Sequence, residues 1–357
     1  MGRRENLIRL YKRKGYDEVP VFFDLCPDLV QVYKNEVKSD LAYDDYFGFP
    51  SKNVPDGILE NQDTQQFKKY YDFEMKPGTI IDPFGVAHEP GSEAARHMTQ
   101  MHHPLKNCDS LEMMKEYPFP DFQNASYQHQ AQEVKNIHNQ DKVACGHMQM
   151  TIWETAWYIR GMEDLMMDMM TEDPMAEFLL DKITEISTKR AVEFTKANCD
   201  MLFLGDDVGM QNSTMMSEDL YCTWLKPRLK KIISEVKKIN PQILIAYHSC
   251  GYIEPFIPHL IEAGVDILNP IQVECMDFKK IHSLYGDVLS FNGTIGTQKL
   301  MPFGTEEEIR KAVFENLEIA GEKGGLLCCP THLLEPEVPW KNIMAYVNAC
   351  KDFMKYN

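Results

Sequence analysis

Residues 248–251 read His-Ser-Cys-Gly, and an imidazole two positions from a thiol is a spacing that can do metal chemistry. The pair closes the apolar run Ile243–Cys250, which has the composition of a buried strand. On a strand, residues i and i+2 share a face, so His248 and Cys250 would point the same way. Imidazole nitrogen and thiolate sulfur are both zinc ligands, at about 2.0–2.3 Å. Gly251 then lets the backbone turn sharply. A hydrogen-bonded histidine beside a buried cysteine is the better reading of the bare motif, and only a third donor reverses it. The last apolar run offers two sets. Cys328 and Cys329 point to opposite faces, so only one can look inward, and His332 follows just beyond Pro330. With a fourth position left open, such a site would be catalytic rather than structural.

Carboxylates and amides stand at the ends of the other apolar runs. Asp206-Asp207 follow LFLG; adjacent residues diverge, so one can face a site while the other caps or pairs. Their candidate roles are general base, substrate contact or support of a metal ligand. Glu154, in MTIWETAWYIRG, is a third candidate catalytic acid. Asp82, Gln149, Asn269, Gln272 and Asn292 are candidate substrate-binding residues, with Asp24 at a further run end.

Eight runs must position these groups: Val21–Leu25, Thr79–Phe84, Val143–Met150, Met201–Gly205, Ile243–Cys250, Val265–Asn269, Val288–Asn292 and Leu326–Cys329. Helical patterns lie between the later ones. Leu220–Ile239 has apolar residues at helical spacing, Pro255–Ala263 is closed by Gly264, and Thr305–Lys323 opens on Thr-Glu-Glu-Glu. Strand–helix alternation argues for α/β architecture, and eight units predict a (β/α)8 TIM barrel with its chemistry at the C-terminal strand ends. In that geometry the fifth and eighth strands face each other across the mouth, within reach of one ion. The first intervals are about twice a minimal unit. Residues 1–20 are therefore expected to be an N-terminal helix, and 26–78 and 85–142 insertions over the mouth, within a single domain 1–357. The histidines of residues 88–103 read as loop residues near the mouth, and the methionines of Gly161–Met170 as core filler.

With 37 Lys and Arg against 54 Asp and Glu, the net charge is −17, which repels phosphate backbones and anionic membrane surfaces. Neither nucleic acid nor membrane is an expected partner. The N-terminal residues lack the apolar core of a signal peptide, and ten cysteines show no disulfide-scaffold spacing, so a cytoplasmic location is expected.

The motifs GDDVGMQNSTMMS (205–217), AYHSCGYIEPFIPHLIEAGVDILNPIQ (246–272), FNGTIGTQ (291–298) and GGLLCCPTHLLEPEVPWKNI (324–343) occur in an order that resembles the uroporphyrinogen decarboxylase superfamily. That resemblance implies a (β/α)8 barrel. Porphyrinogen decarboxylases carry arginines just after a Pro-Val pair, whereas here PVFFDLCPDLV (20–30) has none. The chain is more similar to the corrinoid-dependent methyltransferases of the methylcobalamin:coenzyme M type, whose zinc motif is His-x-Cys with a distant Cys. His248 and Cys250 match its first two members. Aligned on Pro336–Asn342, the family cysteine falls on His332, with Cys329 or Cys328 as alternates. Gly296 stands where relatives often have an acid. The resemblance implies zinc, a corrinoid carried by a partner protein, and a small methylated thiol, ether or similar compound as donor or acceptor. The alternative is a metal-free decarboxylase or lyase acting on a small carboxylic acid through Asp82 or Asp206. A third reading is a corrinoid- or tetrapyrrole-binding barrel that has lost its chemistry.

Overall fold

A computed structural model describes residues 1–60, 63–91 and 99–356. Arg96 and His97 lie outside the described residues. The strands are β1 (Ser51–Val54), β2 (Ile80–Ile81), β3 (Ala87–Pro90), β4 (Thr99–His102), β5 (Val143–Gln149), β6 (Met201–Gly205), β7 (Leu244–His248), β8 (Ile267–Ile271), β9 (Ser290–Ile295) and β10 (Leu326–Pro330). Seven of them form one parallel sheet in the order β1-β5-β6-β7-β8-β9-β10. Helices connect its strands, as parallel crossovers require.

Helix starts follow their local chemistry. Pro174–Lys196 has proline in its first turn and Asp173 as cap, accepting from Met175 N at 2.8 Å. Glu306–Ala320 opens on a capping box between Thr305 and Glu308. The single helix expected over Leu220–Ile239 is two, Glu218–Trp224 and Lys226–Ile239, because Pro227 lacks the N–H that a continuous helix needs.

The first half departs from expectation. Thr79–Phe84 supplies no strand of the main sheet; β2 within it joins β3 and β4 in a separate antiparallel sheet. The place beside β5 belongs to β1, pairing Ser51 with Val143 through Val54 with Gly146. Residues 51–54 therefore belong to the main sheet rather than to an insertion. Val21–Leu25 forms no regular strand, but Leu25 makes a parallel bridge to Leu334 just past β10. Phe22 and Phe23 reach Phe49, just before β1, with ring centroids 5.2 and 5.0 Å apart.

The helix Arg3–Tyr11 lies under the N-terminal ends of the strands. Arg4 donates to both Asp200 carboxylate oxygens at 3.0 and 2.5 Å, and His138 and the Ala144 amide reach the same carboxylate at 2.9 and 3.0 Å. Arg13 donates to Ser290 Oγ at 2.6 Å, and the buried Tyr11 hydroxyl donates to Asn292 Oδ1 at 2.6 Å. Asn292 is thus an interior floor residue in the middle of β9 rather than a group at a strand end. Among the described residues, no helix is long and apolar enough to cross a membrane.

Candidate metal centre

The carboxyl ends of β6 and β7 bring three donors together. Asp207, His248 and Cys250 each present a ligand atom, all within 4.8 Å of one another. His248 is the last residue of β7, while Cys250 sits two residues past it on the turn. The shared face expected from strand alternation is therefore reached through that turn. Cys250 Sγ lies 3.5 Å from His248 Nε2, and Asp207 Oδ1 also lies 3.5 Å from that nitrogen.

Neighbouring residues hold each donor. Asn269 Oδ1 faces His248 Nδ1 at 2.6 Å, which places the ring proton on Nδ1 and leaves the Nε2 lone pair toward the centre. Asp207 Oδ1 accepts from the Cys250 amide at 2.7 Å, and Gln272 Oε1 accepts from the Gly251 amide at 2.7 Å. Gly251, at φ +84°, would carry a Cβ 2.7 Å from Gly209 C; a Cβ on Gly209 would fall 2.5 Å from the Cys250 carbonyl oxygen. Only glycines let these two loops touch backbone to backbone.

The acidic pair divides its work. Asp206 is buried, and its carboxylate accepts from the Ile152 amide at 3.0 Å and the Glu154 amide at 2.9 Å, capping the helix Trp153–Arg160. Burial pushes its carboxyl up, opposed by those amides. Asp206 is a cap, and Asp207 is the member that faces the site. Glu154 is also buried; it accepts from the Asp207 amide at 3.1 Å and from the Tyr158 hydroxyl at 3.1 Å. Burial, reinforced by the charge of Asp207, pushes Glu154 up to about 7. Burial raises the Cys250 thiol strongly, with the charges of Asp207 and Glu154 adding to the effect. Burial lowers His248, against the pull of Asp207.

The β10 candidates fall elsewhere. Cys328 and Cys329 are buried and lie outside the donor group. Cys328 lies 3.8 Å from Thr294 Oγ1 and feels Cys350 of the helix Trp340–Tyr356. His332 is exposed and near enough to act electrostatically on both Asp24 and His248, so it shares the mouth without joining the donors. Asp207, read in the sequence as a catalytic acid, takes the third place beside His248 and Cys250. Gln149 ends β5. Asp82 caps a tight turn through the Phe84 and Val86 amides and lies 3.0 Å from His88 Nε2, in the antiparallel sheet rather than at a main-sheet strand end. Glu274 went unnoticed in the sequence: a Cβ on Gly296 would meet its Oε1 at 2.5 Å. A carboxylate from a neighbouring loop thus fills the place beside Gly296.

The uroporphyrinogen decarboxylase (URO-D) family model matches residues 93–353. The chain also superposes on a methyltransferase from Methanosarcina mazei with a TM-score of 0.67 and 20% identity, over 99% of each chain, a likeness of fold. A psychrophilic glycoside hydrolase family 10 endo-β-1,4-xylanase gives 0.37 at 12% identity, over 62% of this chain and 81% of that one, too distant to inform the site. No curated protein matches the sequence.

Proposed function

The chain belongs to the uroporphyrinogen decarboxylase family, and within it we propose that it is a zinc-dependent methyltransferase. It moves a methyl group between a small methylated compound and the cobalt of a corrinoid carried by a partner protein. The reading includes a closed eight-stranded barrel, with residues 21–25 completing the circle between β10 and β1.

The observation that carries it is the donor spacing. Zn–S and Zn–N bonds of about 2.3 and 2.0–2.1 Å at a tetrahedral angle separate sulfur from nitrogen by about 3.5 Å. Cys250 Sγ and His248 Nε2 stand at that separation. A strongly raised thiol beside two carboxyl groups is also a cluster whose ionised form a dication would favour.

When bound, zinc would supply Lewis acidity to the sulfur or oxygen that bears or receives the methyl group. The protein's own residues do the rest. Asn269 fixes the His248 tautomer, Gln272 and Gly251 hold the Cys250 turn, and Asp206 anchors the helix that carries Glu154. Glu154, poised near neutrality, holds or releases a proton as charge builds on the heteroatom. Breaking the methyl–heteroatom bond would leave the electron pair on the heteroatom, and a reduced corrinoid on the partner protein would accept the methyl group. Asp206 caps a helix and Asp82 holds a turn, which favours the methyltransferase reading over the decarboxylase one.

Metal analysis tests this proposal. About one zinc per chain is expected. The content should fall in His248→Ala, Cys250→Ala and Asp207→Ala proteins and stay unchanged in His332→Ala. A zinc-free wild-type protein, or one unable to demethylate any thioether or ether with free cob(I)alamin, would overturn it.

A further inference from the structure

The inner wall of the main sheet carries an imidazole that the metal centre does not use. A Cβ on Gly146 would lie 2.7 Å from both Leu202 and Phe194, the latter on the outer helix Pro174–Lys196, so position 146 looks outward. His147, next along β5, looks to the opposite, interior side. Strands surround it, yet its side chain is exposed. It therefore borders an open space inside the sheet. Asn53 of β1, in register with inward-facing Cys145, is exposed on the same side.

His147 belongs to a row of rings. It stacks on Phe203 of β6 with centroids 5.0 Å apart and planes 8° from parallel. Phe203 stands 6.0 Å from the His248 ring. Three neighbouring strands thus present a continuous π wall that ends at the metal donors. Beside it, Ala246 of β7 adds little bulk.

This interior has no cationic anchor on its strands. Of the seven, only β1 carries a lysine, Lys52, in register with outward-facing Ala144 and acting on Asp45. Desolvation inside the surrounding strands lowers His147, which disfavours its charged form. A carboxylate or sulfonate substrate would find no bidentate partner on the wall.

We propose that His147 and Phe203 form the substrate platform and that the methylated substrate is an uncharged, flat aryl ether or thioether. Its ring lies along the wall, and its methyl-bearing heteroatom points to Asp207, His248 and Cys250. His147 is then a specificity-determining residue. The proposal rests on the methyltransferase reading for the reaction, and its test separates the two.

Isothermal titration with 2-methoxyphenol and with 2-(methylthio)ethanesulfonate measures binding in the zinc-loaded and metal-free protein. The wild-type protein is expected to bind 2-methoxyphenol at least roughly tenfold more tightly than the sulfonate. His147→Ala and Phe203→Ala should each weaken 2-methoxyphenol binding by roughly tenfold, the scale of a lost ring contact with its buried area. His147→Gln, which keeps polarity and bulk, should lose the same factor, with calorimetry verifying that each variant is folded. In methyl transfer to free cob(I)alamin, His147→Ala raises KM and leaves kcat within about threefold. Unchanged binding in folded His147→Ala and His147→Gln, tighter binding of the sulfonate, or no binding of 2-methoxyphenol would each overturn the platform. Binding that depends on His147 without any methyl transfer would support the platform and remove the transferase reading.

Discussion

The two ends of the main sheet use similar residues to opposite effect. At the floor every named polar group meets its complement: Arg4 and His138 converge on Asp200, Arg13 on Ser290, and Tyr11 on Asn292. At the mouth the pairing is mismatched. Glu154 abuts Asp207, a thiol abuts an imidazole, and burial pushes Glu154 to about 7. Satisfied charges stabilise a fold, whereas clustered donors and acids with shifted ionisation mark a candidate functional site.

Removing either end should separate the two roles. The largest effect is expected from His248→Ala or Cys250→Ala, which should lower methyl-transfer kcat on the order of a thousandfold. Thermal unfolding of the metal-free protein should barely move, and a large fall in its midpoint would erase the contrast. Asp200→Ala is the converse experiment. It leaves Arg4 and His138 unpaired, and after allowance for the exposure of Arg4 it should cost about 2–3 kcal/mol in urea unfolding, with kcat unchanged in the folded fraction.

The mismatch at Glu154 also has a pH signature. Its folded pKa stands above the ordinary carboxyl value of 4.5, at about 7. Its contribution to stability is therefore complete below pH 4.5 and is lost as the pH rises through 7. Metal-free protein should lose urea resistance across that window, and Glu154→Gln should flatten the profile; identical profiles would show that the carboxyl is not strained. The smallest effect belongs to Tyr11→Phe, which removes one neutral floor hydrogen bond and should cost about 1 kcal/mol with activity intact.

Sequence pattern revealed the second half of the fold far better than the first. From β5 onward, apolar runs alternate with capped helices, and each expected strand is found within a few residues. β1 escaped because Ser-Lys-Asn-Val has one apolar residue and sits at the sheet's edge, where only one strand flanks it. Thr79–Phe84 misled because a short apolar run fits a two-residue hairpin strand as well as a central one. At the site, His248 and Cys250 were legible from spacing alone. Asp207 was noticed, but its place as third donor depends on the adjacency of β6 and β7, which no local pattern carries. His147 was missed although alternation with Cys145 and Gln149 marked its face; inside Val143–Gln149 it reads as a buried strand residue until its exposure is known.

The glycine contact beneath Cys250 sets a limit for anyone reshaping this enzyme. Residues 209 and 251 have no room for a side chain, so a mutational library that includes them would spend its diversity on misfolded clones. Met210, between them on the same rim, has an exposed side chain and a backbone bonded to Ser213 and Tyr252. It is the position where the entrance can be rebuilt without disturbing the donors below.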